Sequence, residues 1–139
     1  MSRGKKPRFQ LVQTGTETVR WRLLGGNNTS LGTSALDYRR SEDCLASISW
    51  LSVHLGELTA EFGHAGGGRW RWRLRSGTDA VAVAAHAYGR RIEAQRGLDR
   101  FRAATKEATT TEKIETVIDW RKKYRMNSRE SSERRIGDQ

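Results

Sequence analysis

The sequence predicts an α+β protein made of two tandem β-β-β-α units, with a further strand after the second unit and disordered basic ends. The first observation behind this prediction is a strand-like alternation of arginine with tryptophan and leucine that occurs twice, at residues 20–23 and 69–75. The second is that a tyrosine, Tyr38 or Tyr88, follows the leucine of each copy by 14 or 15 residues and precedes a segment with helical spacing. Motifs repeated in one order indicate a repeated structural unit.

The first unit spans residues 9–56 and begins with three predicted strands. These strands lie at residues 9–13, 19–23 and 30–36. Residues 25–28 (Gly-Gly-Asn-Asn) tolerate positive φ and predict the turn between the second and third strands. Ser41 is a predicted helix cap, since two acidic residues follow it where the helix dipole favours them. Gly56 is expected to end the helix. The predicted apolar stripe of this helix consists of Cys44, Leu45, Ile48, Leu51 and Leu55.

The second unit spans residues 57–119 and repeats this plan. Its predicted strands lie at residues 58–62, 69–75 and 80–85. A glycine-rich turn joins the first two, and a helix is predicted over residues 90–104 with Gly97 inside it. A glycine there costs about 1 kcal/mol relative to alanine and suggests close packing against a neighbour. Residues 109–119 are rich in β-branched side chains and predict a final strand. The predicted core-facing residues of the second helix are Ala94, Leu98 and Phe101.

The order of motifs within each unit resembles a known family. The residues that carry this resemblance are Trp21, Arg22, Leu23, Asn27, Asn28 and Tyr38 in one copy and Trp72, Arg73, Leu74, Thr78, Asp79 and Tyr88 in the other. The pattern resembles the YegP-like proteins of unknown function over residues 9–119. The resemblance implies that the two units share one mainly antiparallel sheet, with helices on one face, and exchange their terminal strands. It implies no activity. The Asn-Gly usual at the family's turn is absent from both copies, which leaves the turn type open.

Most of the positive charge lies at the two ends of the chain. The formal net charge is +10, and residues 1–8 supply four basic side chains and no acidic ones. Residues 120–139 supply seven basic and three acidic side chains, whereas the rest of the chain carries 15 basic and 13 acidic ones. We therefore predict a flexible basic arm at residues 1–8 and a basic tail at residues 120–139. Such ends attract polyanions, nucleic acid above all, or serve only to keep the protein in solution.

The two alternating strands also predict a row of arginines on one face of the sheet. Side chains two residues apart in a strand point the same way, at intervals of about 6.5–7 Å, so these arginines can meet successive phosphates. Alternatively, acids such as Glu57, Glu61, Glu112 and Glu115 pair with them across strands. The predicted nucleic-acid-binding residues are Arg20, Arg22, Arg69, Arg71, Arg73, Arg75, Lys5, Lys6, Arg8, Arg121, Lys122, Lys123 and Arg125.

The tryptophans have two interpretations each. Strict alternation with arginine favours core positions for residues 21, 70 and 72 over stacking on bases. Trp50 falls off the apolar stripe of its helix and is a candidate for an exposed contact or for the interface between the halves. Trp120 and Tyr124 lie among basic residues, which is typical of single-strand binders, but they can equally hold the last strand in place.

No pattern of residues in the sequence predicts a reaction. The single cysteine and the three histidines lack the close spacing of metal sites, and no phosphate-binding loop is present. One cysteine also fits a reducing compartment, and neither a secretory signal nor a membrane-spanning run is expected. We therefore expect a non-enzymatic cytoplasmic protein without cofactor, metal or membrane partner. It would bind DNA or RNA by charge, or else act as a protein–protein interaction module. Its sheet edges leave open whether it is a monomer with two repeated halves or a homodimer.

Overall fold

A computed structural model describes residues 6–108 of the chain and the backbone of residues 115–117. In these ranges the chain forms one seven-stranded sheet and two α-helices, which confirms the predicted α+β class. A 3-10 turn, Leu55–Glu57, follows the first helix. The elements are β1 (Arg8–Gln13), β2 (Val19–Leu24), β3 (Ser30–Ser34), α1 (Ser41–His54), β4 (Thr59–His64), β5 (Trp70–Ser76), β6 (Asp79–Ala84), α2 (Arg91–Ala108) and β7 (Glu115–Val117).

The strand order across the sheet is β4-β5-β6-β3-β2-β1-β7. Strands β1 to β3 form one antiparallel meander and β4 to β6 form another, and the two meanders join where β3 pairs antiparallel with β6. Strand β7 pairs with β1 in parallel, so the described part of the predicted final strand does return to the first half of the chain. The remainder of residues 109–119 and both predicted tails lie outside the described residues, apart from residues 6–8.

The two meanders have matching pairing patterns. Each tyrosine named above bridges to the start of the second strand of its own meander, with two main-chain hydrogen bonds of 2.7 Å. The pairing of the second strand with the third is interrupted after Leu23 in one meander and after Leu74 in the other. At the junction, Thr33 lies opposite Val83. The second turn of each meander contains a residue with positive φ, Asn28 in one and Gly77 in the other. This arrangement places β2 and β5 at corresponding positions on either side of the two central strands.

Both helices pack on the same face of the sheet and complete a single core. Trp21 and Trp72 come from different meanders, and both are fully buried, which confirms that they are core residues. Phe101 of α2 lies against both, with ring centroids 6.2 Å from Trp21 and 4.8 Å from Trp72. The predicted core position was wrong for Trp70, which begins β5 and is only half-buried, packed against His64 outside the core cluster. The core therefore spans both halves of the chain.

The helices differ from their predicted form in three respects. Ser41 does not cap α1, because the helix already includes it and the cap position is Arg40, without a side-chain hydrogen bond. Leu45 is 38% exposed and does not belong to the buried stripe. In a helix, successive residues are separated by about 100°, so Leu45 lies to one side of the line through Cys44 and Ile48. The second helix is longer than predicted because Thr105 and Ala108 extend its buried face.

Candidate nucleic-acid interface

Most of the predicted arginines lie on the face of the sheet opposite the helices, which we call the outer face. Strand alternation turns Trp72 and Leu74 of β5 into the core, so the arginines between them point away from it. The same holds for β2, where Trp21 and Leu23 are buried. Arg69 is different, since it precedes β5 and its Nη2 donates a 3.2 Å hydrogen bond to the Ala87 carbonyl. The outer-face arginines of the two strands are Arg20, Arg22, Arg71, Arg73 and Arg75.

The strand registers place a row of residues directly across the outer face. Because paired residues of an antiparallel sheet point to the same face, this row forms one continuous line over six strands. Arg22 and Arg73 occupy corresponding places in it, each on one side of the two central strands. At about 4.8 Å per strand, their backbones are roughly 14 Å apart. The row consists of Glu61, Arg73, Val83, Thr33, Arg22 and Gln10.

In the second half, one carboxylate serves two arginines. Arg73 donates from Nε and Nη2 to Glu61 Oε1, at 3.0 and 2.8 Å. Arg75 Nε lies 2.8 Å from Glu61 Oε2 and forms a second ion pair with it, and Arg75 Nη1 also contacts the Gly77 carbonyl. The hydrogen bond from Arg73, aided by the charges of both arginines, lowers the pKa of Glu61 below its ordinary value. Two guanidinium groups thus share one negative charge, as the cross-strand alternative predicted for Glu61.

In the first half, the corresponding position holds an amide instead of a carboxylate. Arg22 Nε donates to Gln10 Oε1 at 2.9 Å, a contact that orients the guanidinium but brings no counter-charge to it. Arg20 is paired differently, because its Nε lies 2.8 Å from Asp37 Oδ1. Thr14 Oγ1 donates to the same carboxylate oxygen at 3.3 Å. Of the two arginines on β2, Arg22 is therefore the one without a carboxylate partner among residues 6–108.

Arg71 makes the fewest polar contacts of the outer-face arginines within residues 6–108. Its side chain is exposed and has no hydrogen-bond or ion-pair partner among residues 6–108. Its cross-strand neighbour on β4 is Gly63, which has no side chain to offer. A concave region of about 670 Å³ lies here. It is lined by Glu61, Phe62, Gly63, His64, Ala65, Arg71, Trp72, Arg73 and Val83.

The basic residues predicted at the two ends are divided between described and undescribed segments. Lys6 is exposed, and Arg8 at the start of β1 donates to Asn28 Oδ1 at 2.6 Å. Alternation along β1 places Arg8 on the same face as Gln10. The other predicted basic residues, Lys5, Arg121, Lys122, Lys123 and Arg125, lie outside the described residues, as do Trp120 and Tyr124.

Other chemistry finds little support in the described ranges. Residues 6–108 hold no group of three or more His, Cys, Asp or Glu side chains that could bind a metal ion. Burial raises the pKa of the Cys44 thiol to about 11, so this thiol stays protonated and unreactive at neutral pH. Neither α-helix of the described chain is both long and apolar enough to cross a membrane. Trp50 is 38% exposed and stacks on His54 with ring centroids 4.2 Å apart, which confirms that it lies away from the core.

Asp37 and Gly63 shape the outer face. The sequence did not single out Asp37, and it predicted a turn at Gly63, whereas the structure places Gly63 in β4. Asp37 immediately precedes Tyr38, and the residue before Tyr88 in the second copy is Ala87. Gly63 corresponds in the same way to Val12. A comparison of the two copies position by position would have revealed that each arginine has different neighbours in each half.

The fold is similar to that of two proteins of known structure. Over 84% of this chain and 97% of the other, it matches the solution NMR structure of yegP from E. coli, a protein of unknown function, with a TM-score of 0.63 and 16% identity. A UPF0339 protein from Shewanella oneidensis matches 80% of this chain over 91% of its own length, with a TM-score of 0.62 and 13% identity. No protein-family model and no curated protein matches the sequence. At these identities the comparison concerns the fold alone: the chain has a YegP-like fold.

Proposed function

We propose that the protein binds nucleic acid through the cationic outer face of its sheet, without catalysing a reaction. The observation that carries this proposal is the excess of arginine over carboxylate on that face. Five arginines of β2 and β5 lie there, and among residues 6–108 two carboxylates, Asp37 and Glu61, form ion pairs with them. A surface with this excess of positive charge attracts the phosphate backbone.

The arrangement of these charges supports binding to phosphates and not to bases. Arg71, Arg73 and Arg75 follow one another along β5 at intervals of about 6.5–7 Å, and Arg22 lies across the central strands. Arg20 is not included, because Asp37 neutralises it. Trp21 and Trp72 are fully buried and cannot stack on bases, and Trp70 is half-buried against His64. We therefore expect binding that is sensitive to salt and indifferent to sequence.

The basic ends would strengthen this binding. Lys5, Lys6 and Arg8 precede or begin β1, and seven basic residues follow position 120, four of which belong to the predicted binding residues. Each added lysine or arginine contact with a phosphate releases a counterion and increases the dependence of affinity on salt. The four residues are Arg121, Lys122, Lys123 and Arg125.

A salt series tests the proposal. The dissociation constants for generic single- and double-stranded DNA and RNA are measured by fluorescence anisotropy between about 50 and 200 mM salt, where backbone contacts lose affinity steeply. We expect log K to fall linearly with log salt, and the slope to decrease by about one in Arg22→Gln and in Arg71→Gln. Arg96→Gln on the exposed side of α2 removes the same charge and serves as control. Affinity that does not change with salt, or no binding at about 50 mM, would contradict the proposal.

The open edge of β4 favours a second candidate, an interaction module whose partner is another copy of this chain. Strand β7 covers the outer edge of β1, but no described strand pairs with the outer edge of β4. Antiparallel pairing of two β4 strands with Phe62 opposite Phe62 would set Glu61 of one copy opposite Gly63 of the other, next to the unpaired Arg71. Sedimentation of the same samples without nucleic acid distinguishes the candidates. If the unchanged protein sediments with twice the mass of one chain and the Gly63→Glu variant sediments as a single chain, the result favours self-association.

We also propose that the two meanders, each with its helix, are tandem YegP-like units, the first over residues 9–56 and the second over residues 57–119. Three matches support this: the tyrosine bridges, the interrupted pairing after the second strand, and the corresponding positions of Arg22 and Arg73. Equivalent residues up to the second strand of each unit are 51 positions apart, as Trp21 and Trp72 are. After the second strand they are 50 positions apart, as Tyr38 and Tyr88 are.

A further inference from the structure

We infer that the second half of the chain contains a binding subsite for a phosphate group, formed by Arg71, Arg73 and Gly63, which is closed in the first half. This inference rests on the proposed function, because it identifies where on the outer face a backbone phosphate is held most tightly. The two halves have matching strand pairing but differ in the residues around the corresponding arginines.

The first difference concerns the counter-charge. Arg20 and Arg71 occupy corresponding positions on β2 and β5, opposite the fifth residue of β1 and of β4 respectively. Arg20 is held by Asp37 at 2.8 Å. The residue that corresponds to Asp37 is Ala87, which offers no carboxylate, so Arg71 has no ion-pair partner among the described residues. Its guanidinium donors are therefore available for a charge-assisted, bidentate hydrogen bond to an external anion.

The second difference concerns space. Val12 lies opposite Arg20, whereas Gly63 lies opposite Arg71. A Cβ atom at position 63 would meet nothing within 4 Å, so the position is open above the backbone. Gly63 lines the concave region of about 670 Å³, which exceeds the volume of a phosphate group. An anion can therefore approach Arg71 over the bare backbone of β4.

The third observation is a second donor in the same concavity. Arg73 points to the same face two residues further along β5, about 6.5–7 Å away. Its Nε and Nη2 are committed to Glu61, which leaves Nη1 without a partner in the described part of the chain. A tetrahedral phosphate can accept two hydrogen bonds from the fork of Arg71 and one from Arg73 Nη1. Glu61 is the one carboxylate among the described lining residues, and its charge is already shared by Arg73 and Arg75.

The test uses the full-length protein and two phosphate sources, inorganic phosphate and a generic single-stranded oligonucleotide, at constant ionic strength. Nitrogen–proton NMR correlation spectra follow the backbone amide of Gly63 and the Nε–H groups of the arginines. We expect saturable shifts centred on Gly63, Arg71 and Arg73 with both probes. Arg71→Gln and Gly63→Val should each raise the phosphate dissociation constant at least tenfold. Arg96→Gln on α2 should leave it unchanged.

A gain of binding provides the complementary test. Copying the open arrangement into the first half with the pair Val12→Gly and Asp37→Ala should create a second saturable site at Arg20. Circular dichroism identifies any variant that fails to fold, and Arg71→Gln, which alters only an exposed side chain, decides the matter if Gly63→Val does not fold.

The outcomes separate this inference from the proposed function. Shifts that are small, unsaturable and equal at all exposed arginines would overturn the inference. The inference would also be overturned if the Arg71→Gln variant bound the oligonucleotide as tightly as the unchanged protein does. That result would leave the proposed nucleic-acid binding uncontradicted. Saturable phosphate binding at Arg71 without oligonucleotide binding would instead support the subsite and contradict the proposed function.

Discussion

Single residues decide which charges of the outer face are free. Gln10 and Glu61 occupy corresponding positions, yet only the glutamate neutralises the arginine across from it. Asp37 and Ala87 differ in the same way. An exposed ion pair is worth little for stability, about 0–1 kcal/mol. These differences therefore affect where an anion can bind much more than they affect folding.

Gly97 shows how a close contact can require a glycine inside a helix. The sequence indicated a close neighbour at this position, and the structure identifies it as the ring of Tyr88. A Cβ atom at residue 97 would overlap the Tyr88 hydroxyl and lie 2.6 Å from Cζ. The helix thus accepts a residue of poor helical propensity so that the tyrosine of the second meander can pack against it.

We predict that Gly97→Ala destabilises the protein despite the better helical propensity of alanine. The propensity gain is about 1 kcal/mol, but overpacking typically costs about 1–3 kcal/mol, so the net loss should reach about 1 kcal/mol. Gly56→Ala is the control, because a Cβ there would meet nothing within 4 Å and its free energy of unfolding should change by less than about 0.5 kcal/mol. Urea unfolding measures the free energy of unfolding of both variants. If Gly97→Ala were more stable than the unchanged protein, the Tyr88 ring would have to move aside at little cost.

Among the elements, α1 has the least distinct division between buried and exposed faces. Cys44, Ile48 and Leu51 are buried, while Trp50 and Val53 remain exposed on the far side. Apolar residues on both sides explain why the sequence assigned Leu45 to the core. Helical spacing predicts which residues share a face, but packing against the sheet, chiefly β2, decides which face is covered. The buried and exposed positions of a strand are easier to predict from sequence, since successive side chains alternate between only two faces.

We predict that Ile48→Ala lowers the free energy of unfolding by about 2–4 kcal/mol, because it removes buried methyl groups and leaves a cavity between α1 and the sheet. Val53→Ala on the same helix should change it by less than about 0.5 kcal/mol, since this side chain is 74% exposed. Thermal and urea unfolding of the two variants give the comparison. Equal losses would mean that Val53 is covered in solution, for example by another copy of the chain.

At the scale of the whole molecule, the two halves depend on one core and one sheet. Strands β3 and β6 join the meanders in the middle of the sheet, and β7 returns from the end of the chain to β1. Phe101 lies against a tryptophan from each half. Each half alone, at about 50 residues, would bury too little apolar surface to be stable. The protein should therefore unfold as one unit.

We predict that Phe101→Ala lowers the free energy of unfolding by about 3–5 kcal/mol and leaves a single transition. Phe101→Leu retains most of the volume and should cost less. Tryptophan fluorescence reports on the core around Trp21 and Trp72, and far-ultraviolet circular dichroism reports on the helices. If the two signals showed distinct transitions, the halves would unfold as independent domains, and the shared core would not couple their stabilities.

The sequence by itself determined the local features of this protein. Periodicity placed the strands to within a few residues, and it assigned Trp21 and Trp72 to the core and Arg71 and Arg73 to the opposite face, because these properties depend only on residues close together in the chain. Tertiary structure decided the partner of each arginine. Asp37, Gln10 and Glu61 are 12 to 17 residues away from the arginines that they contact. Only strand register brings such residues together, and register depends on the packing of the whole sheet.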